Sequence, residues 1–224
     1  MCHASCIEFI RRHVSSIDVA GREVLEVGAR NVNGSVRELV CTLQPRRYVG
    51  VDLEPGPGVD EICDAKELVS RFGPSTFDVV ISTEMLEHVR DWHTVVTQFK
   101  AVLRPAGLLF LTTRSRGFPY HPFPEDFWRF ELSDMEEIFS DCDREVLETD
   151  PSMPGVFLRA RKPNEARPAP EATALFSMIV SQRAMKVTDA QIAFFRARTR
   201  CRQLLRAPER LVRQFRRRLQ QPAI

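Results

Sequence analysis

Apolar positions along the chain keep two rhythms, one of three to four residues and one of short continuous runs. Between Ser5 and Asp18, Ile7, Ile10, Val14 and Ile17 recur at helical spacing with Arg11, Arg12 and His13 between them, which predicts an amphipathic helix that Gly21 breaks. A short apolar run, Val24 to Val27, ends at Gly28, and Gly34 precedes a helix-like stretch from Ser35 to Leu43 that Pro45 stops. Strand, tight loop, helix is the reading. Arg47 to Asp52 predicts a second strand, Pro55 to Gly58 a turn, Val59 to Cys63 a short third strand, and Lys66 to Phe72 a helical turn. Phe77 to Ser82 is apolar on both faces, as a central strand covered by helices should be. Trp92, Val95, Val96, Phe99, Val102 and Leu103 give the stretch from Asp91 to Leu103 a helical period, Arg104 to Gly107 end it, and Leu108 to Thr112 form a fifth strand. This alternation predicts parallel strands joined by helical crossovers.

The pattern then changes. Residues 114–130 hold Phe118, Tyr120, His121, Phe123, Phe127, Trp128 and Phe130 among prolines. Prolines at that density exclude a helix, and the aromatics suit either a lid beside the strand ends or a packed loop closing the core. Ser133 with Glu136 three residues on predicts a capping box and a helix start. Arg144 to Glu148 and Val156 to Arg161 predict an antiparallel hairpin at the sheet edge. Residues 163–170 read as a linker that ends a first domain of residues 1–162. Residues 171–224 read as a helical, Arg-rich tail.

At 224 residues and 43% hydrophobic, one domain with an appendage is expected rather than two large domains. The net charge of +2 is uninformative, but arginines crowd the C-terminal end. That end suits a solvated helix packed on the domain or on a second subunit, or a membrane-surface helix near anionic lipid. Nucleic acid is disfavoured, because the domain itself is not basic. Six scattered cysteines in so apolar a chain point to reduced thiols and a cytoplasmic protein, peripheral at the membrane if the tail binds lipid. Neither a signal peptide nor an apolar run of about 20 residues stands out, so a soluble protein is expected.

Glu26 is an acid inside an apolar strand, costly to bury without a partner. With the glycine loop from Glu26 to Gly34, Asp52 after the second strand, Asp64-Ala65 after the third, the segment from Phe77 to Val89, and Leu103 to Gly107 before the fifth, the sequence resembles the class I S-adenosylmethionine (SAM)-dependent methyltransferases. The resemblance covers roughly residues 5–162. It implies a Rossmann-like α/β fold with a mostly parallel seven-stranded sheet, an antiparallel C-terminal hairpin, and SAM as cofactor. It also implies that Gly28 and Gly34 let backbone pass close to the methionine part of SAM, and that Glu26 helps hold the loop amides or the cofactor's ammonium. Asp52 would accept from the ribose hydroxyls, Leu53 pack on adenine, Asp64 and Ala65 read the adenine edge, and Thr83 flank the cofactor. The usual loop has a further glycine where Arg30 or Asn31 stands, and Arg30 either neutralises the cofactor carboxylate or points outward. An NAD-dependent dehydrogenase is disfavoured, since Gly-x-Gly-x-x-Gly is not present at Gly28.

For the chemistry, a hydroxyl acceptor on a small molecule or a saccharide is expected, with His88 or His121 taking its proton. The segment Glu84-Met-Leu-Glu87-His88 with a later His121 also resembles the metal-binding arrangement of small-RNA 3′-end 2′-O-methyltransferases and the related segment of ubiquinone-biosynthesis O-methyltransferases. On that resemblance Glu84, Glu87, His88 and His121 would converge on a divalent ion and act on an RNA ribose or a metabolite. A catalytically silent SAM-binding scaffold is the alternative outside enzymes.

Overall fold

The computed structural model describes residues 3–122, 125–168, 170 and 173–201. Its N-terminal amphipathic stretch is two helices, α1 (Ala4–His13) and α2 (Ser16–Val19), where one was expected. Val14 is extended, and Ser15 then starts α2 in a capping box with Asp18. Cys6, Phe9 and Ile10 are buried, but Ile17 lies past the break and is 85% exposed.

The chain continues through β1 (Glu23–Val27), α3 (Arg37–Cys41), β2 (Arg47–Asp52) and β3 (Glu61–Ile62). A 3-10 turn (Ala65–Glu67) leads into α4 (Leu68–Phe72) and β4 (Phe77–Thr83), and a second (Leu86–His88) into α5 (Trp92–Val102) and β5 (Leu103–Arg114). After the aromatic segment come β6 (Trp128–Arg129), α6 (Leu132–Ile138), β7 (Asp143–Thr149), β8 (Gly155–Arg161), β9 (Leu175–Ser177) and β10 (Gln182–Ala184).

Seven strands form one sheet in the order β3-β2-β1-β4-β5-β8-β7. The first five are parallel, and β8 runs antiparallel to both β5 and β7, so the hairpin closes one edge. Side chains alternate across the sheet. Val24, Val79, Ile81, Leu108, Phe110 and Phe157 bury one face against Phe9, Ile10 and Val14 of the N-terminal segment and Val40 of α3. The strand order reverses between β1 and β4, which opens a crevice at their carboxyl ends.

Two expectations need correcting. Helix α6 begins at Leu132, because Glu131 is its N-cap and the Asp134 carboxylate accepts from the Glu131 amide at 2.8 Å. Ser133 and Glu136 make no such box. Residues 175–184, expected to be helical, supply β9 and β10 of a second antiparallel sheet in the order β10-β9-β6. Trp128 anchors that sheet: it pairs with Ser177, is fully buried, and donates from Nε1 to the Val89 carbonyl at 3.0 Å.

The chain divides into a unit from Met1 to Lys186 and a unit from Val187 to Ile224. In the second, residues 189–201 are helical, and Thr188 and Gln191 exchange side-chain and backbone hydrogen bonds at the helix start. The rest of the Arg-rich tail lies outside the described residues. No helix among the described residues is long and apolar enough to cross a membrane.

Candidate active site

A cavity of about 430 Å³ lies at the carboxyl ends of β1, β2 and β4. Of the residues singled out from sequence, Gly28, Arg30, Asp52, Leu53, Asp64, Ala65, Glu84 and His88 line it, and Glu26, Gly34, Thr83 and His121 do not.

Gly28 ends β1 at φ 79°, and a Cβ there would come within 2.7 Å of Met85 Cγ. Its amide and that of Ala29 donate to the Val51 carbonyl at 2.9 and 3.0 Å, which turns the loop back over β2. Where the usual extra glycine is missing, Asn31 Oδ1 accepts from the Gly34 amide at 3.0 Å and closes the loop from within. That internal closure gives Gly34 its role, away from the cavity. The Arg30 guanidinium pairs with Glu54, while its amide donates to Asp52 Oδ2 at 3.2 Å. Asp52 Oδ1 accepts from the Glu54 amide at 3.2 Å, so the carboxylate is held at the end of β2 with acceptor capacity left on both oxygens. Leu53, 66% exposed, and Val32, 45% exposed, stand as bare apolar walls of the cavity. Asp64 caps the 3-10 turn at Ala65, accepting from the Lys66 amide at 2.9 Å.

Glu26 was expected at the loop amides or the cofactor's ammonium, and the structure places it elsewhere. Sharing the strand face of Val24, it accepts from the Tyr48 hydroxyl at 2.7 Å and is 3% exposed. Burial raises its pKa to about 7, and the Tyr48 bond only partly offsets that. A carboxyl raised from 4.5 in this way stabilises the fold below pH 4.5, and that contribution is lost as pH rises through about 7. Glu26→Gln should therefore flatten the stability profile between these pH values and gain on the order of 3 kcal/mol at pH 8, as read by urea unfolding. An unchanged slope would place the titrating group elsewhere.

Glu84 does not join the expected cluster of metal ligands. It is buried at φ 53°, in ion-pair contact with Arg114 Nε and 3.6 Å from His3 Nδ1. Arg114, fully buried, also reaches Asp150 Oδ2 at 3.0 Å, and its guanidinium lies 4.3 Å from the Phe118 ring centre. Burial, with Glu87 nearby, pushes the Glu84 pKa up. Thr83, at the end of β4, is buried beside Thr112 of β5.

Glu87, His88 and His121 do come together, each offering a ligand atom within 4.8 Å of the others. His88 Nδ1 lies 2.7 Å from the Glu125 carbonyl, which can only accept, so Nδ1 carries the proton and the lone pair is on Nε2. His121 Nδ1 is 2.9 Å from Asp126 Oδ2, and its Nε2 is 3.8 Å from Glu87 Oε1. Burial lowers the His121 pKa, but the flanking carboxylates outweigh it and raise the value to about 9. Asp126 is clamped in turn by Arg129 at 2.5 and 2.6 Å, which overcomes burial and holds its pKa near about 2. The aromatic segment is tied down where it is described: the Phe127 amide donates to the Glu87 carbonyl at 2.8 Å and the Phe130 amide to the Arg114 carbonyl at 2.9 Å. Phe123 and Pro124 lie outside the described residues.

Sequence reasoning missed Arg114 and Met85 at the site; for Glu125, Asp126 and Arg129 it offered either hydroxyl binding or pairing with each other, and the structure has Arg129 paired with Asp126. An arginine closing an apolar strand is a signal, since a buried cation needs carboxylates. Its partners, however, lie far along the chain, with Asp150 separated by 36 positions.

The family profile described as "Methyltransferase domain" matches residues 3–178. The chain belongs to the SAM-dependent methyltransferase family. A ubiquinone biosynthesis O-methyltransferase of Chromobacterium violaceum is 32% identical over 123 residues, 49% of this chain and 50% of the relative. One from Vibrio atlanticus is 37% identical over 116 residues, 46% of this chain and 48% of the relative. The chain thus spans about half the length of the curated relatives it matches. In fold it is similar to Burkholderia thailandensis 1,6-didemethyltoxoflavin-N1-methyltransferase, solved with 1,6-didemethyltoxoflavin and S-adenosylhomocysteine, at TM-score 0.56 and 17% identity over 71% of this chain and 77% of that one. A Mesorhizobium loti SAM-dependent methyltransferase aligns at TM-score 0.55 and 16% identity, over 71% of this chain and 98% of that one. The cavity fits SAM in its donor set: backbone without a Cβ at Gly28, a held carboxylate at Asp52, and uncovered apolar walls at Val32 and Leu53.

Proposed function

We propose that this methyltransferase transfers the methyl group of SAM to a hydroxyl of a small molecule, with His88 as the base. The observation that supports this most is the His88 ring on the cavity wall, its Nδ1 proton committed to Glu125 and its Nε2 lone pair left to accept. Bound SAM would supply a methyl group on a sulfonium, a carrier that needs no further activation. The chain's share is then to orient, to exclude water and to take a proton. Asp52 and Leu53 would fix the nucleoside end, and Gly28 would let the methionine end lie close to backbone. His88 would take the hydroxyl proton as the new bond forms, and the Glu87 carboxylate beside it would favour the resulting imidazolium.

The name of the curated relatives, O-methyltransferases of ubiquinone biosynthesis, supports a phenolic hydroxyl as the first acceptor to try. The rings of Phe118 and Tyr120 would suit a sugar as well, so saccharides form the second panel. The test is release of S-adenosylhomocysteine with catechols, monophenols and saccharides. Turnover with a hydroxyl compound is expected. Cofactor binding without turnover on any of them would instead favour a catalytically silent SAM binder.

A second reading has one observation in its favour, the convergence of Glu87, His88 and His121. These three would hold a divalent ion, whose chemistry there would be to polarise the acceptor hydroxyl. Activity abolished by exhaustive chelation and restored by Mg²⁺ or Mn²⁺ is the outcome this reading requires, and full activity after chelation would remove it.

A further inference from the structure

The turn from Pro55 to Gly58 and the arginine near the place of the usual loop glycine have no part in the scheme above, yet the structure brings them together. The Arg30 side chain runs from the loop after β1 to the turn after β2, and its stem lies along Gly56. A Cβ on that glycine would come within 3.1 Å of Arg30 Cγ and Nε and 3.4 Å of Cδ. The guanidinium goes on to pair with Glu54, whose side chain is 62% exposed. So exposed an ion pair contributes little, which leaves close packing on Gly56 as the firmer hold. The same turn meets the loop backbone twice more. The Pro57 carbonyl accepts from the Asn31 amide at 2.8 Å, and a Cβ on Gly58 would stand 2.5 Å from the Ala29 carbonyl oxygen. Gly58 is tied down in turn, since its carbonyl accepts from Arg37 Nη1 at 2.9 Å and Arg37 pairs with both oxygens of Asp60 at 2.8 and 2.9 Å. Ala29, Arg30 and Asn31 thus all rest on this turn.

We propose that the Pro55–Gly58 turn is the positioning element of the loop after β1, with Gly56 as the seat of the Arg30 side chain. This rests on the reading that the cavity binds SAM. Arg30 donates its amide to Asp52 Oδ2, and that amide and the seated stem leave the same Cα. Displacing the stem therefore shifts the amide from the carboxylate placed for the ribose. Gly56 does not line the cavity, so it acts through Arg30 and not on the ligand. It also lies outside the left-handed region of backbone space. An added methyl group there meets Arg30, to which the three nearest atoms all belong, rather than backbone strain.

The test is calorimetric titration of S-adenosylhomocysteine into the unaltered chain, Gly56→Ala, Arg30→Ala and the double variant. Gly56→Ala should weaken binding about three- to tenfold, the lower end of what overpacking costs. The same step taken in the Arg30→Ala background, where Cγ, Cδ and Nε are gone, should cost less than about 1.5-fold. Equal cost in both backgrounds would overturn the proposal. Unchanged affinity in Gly56→Ala would overturn it too, and a lowered urea midpoint beside that unchanged affinity would mark the turn as merely structural. If Gly56→Ala fails to fold by circular dichroism, folding and binding by the double variant would support the seat, and failure of both would overturn it. Absence of binding by the unaltered chain is a separate result, and it would reject the cofactor reading itself.

Discussion

His88→Ala should slow methyl transfer to a hydroxyl acceptor by about 10²- to 10⁴-fold, the usual contribution of a positioned base, while leaving S-adenosylhomocysteine affinity within about threefold. The reason is geometric. The Glu125 carbonyl fixes the His88 tautomer with the proton on Nδ1, so Nε2 carries the lone pair on a ring that lines the cavity. His121, expected from sequence to be an equal candidate, is instead flanked by Glu87 and Asp126 and does not line the cavity. Substituting His121 should therefore cost less in turnover than substituting His88. Single-turnover assays on both variants decide the order, and equal losses, or a His88→Ala rate near that of the unaltered chain, would sink the assignment.

Gly28→Ala is the second large effect. At φ 79° the added Cβ costs about 1 kcal/mol from the left-handed backbone alone. It would also stand 2.7 and 2.8 Å from Met85 Cγ and Cβ. These atoms are close to the Met85 backbone and cannot swing away as the thioether end could, so overlap adds roughly 1–3 kcal/mol. Movement of Met85 would carry it into the cavity. Urea unfolding should show a loss of roughly 2–4 kcal/mol, and cofactor affinity should fall with it. Met85→Ala in the Gly28→Ala background removes the Cγ overlap and keeps the Cβ one, so it should restore part of both. No recovery would mean that the Cγ overlap contributes nothing and that the backbone conformation and the Cβ contact set the penalty.

The five parallel strands and the closing hairpin were readable in the sequence because Gly, Pro or an acid punctuates the chain around them and most are apolar runs, β3 and the polar β7 excepted. What escaped notice is local geometry too short to leave a period. Strand β6 has two residues and β9 and β10 three each, so none could show alternation. The split of α1 from α2 rests on one residue, Val14, turning extended, while the spacing of apolar residues runs on unbroken to Ile17. At the site, the glycine loop and Asp52 were visible because chain order alone places them at strand ends. Glu84, Arg114, His3 and Asp150 meet only through folding, and no spacing announces them. The loop without its usual glycine is accounted for by an atom the pattern did not suggest, the Asn31 side-chain oxygen on the Gly34 amide.

The cavity at the ends of β1, β2 and β4 should hold the nucleoside of SAM with Asp52 at its ribose. Calorimetric titration of S-adenosylhomocysteine into the unaltered chain and into Asp52→Ala tests it. One molecule bound per chain, weakened by about 100-fold or more in the variant through loss of two charge-assisted hydrogen bonds, is the predicted result. No binding to the unaltered chain, or equal affinity in both, would contradict it.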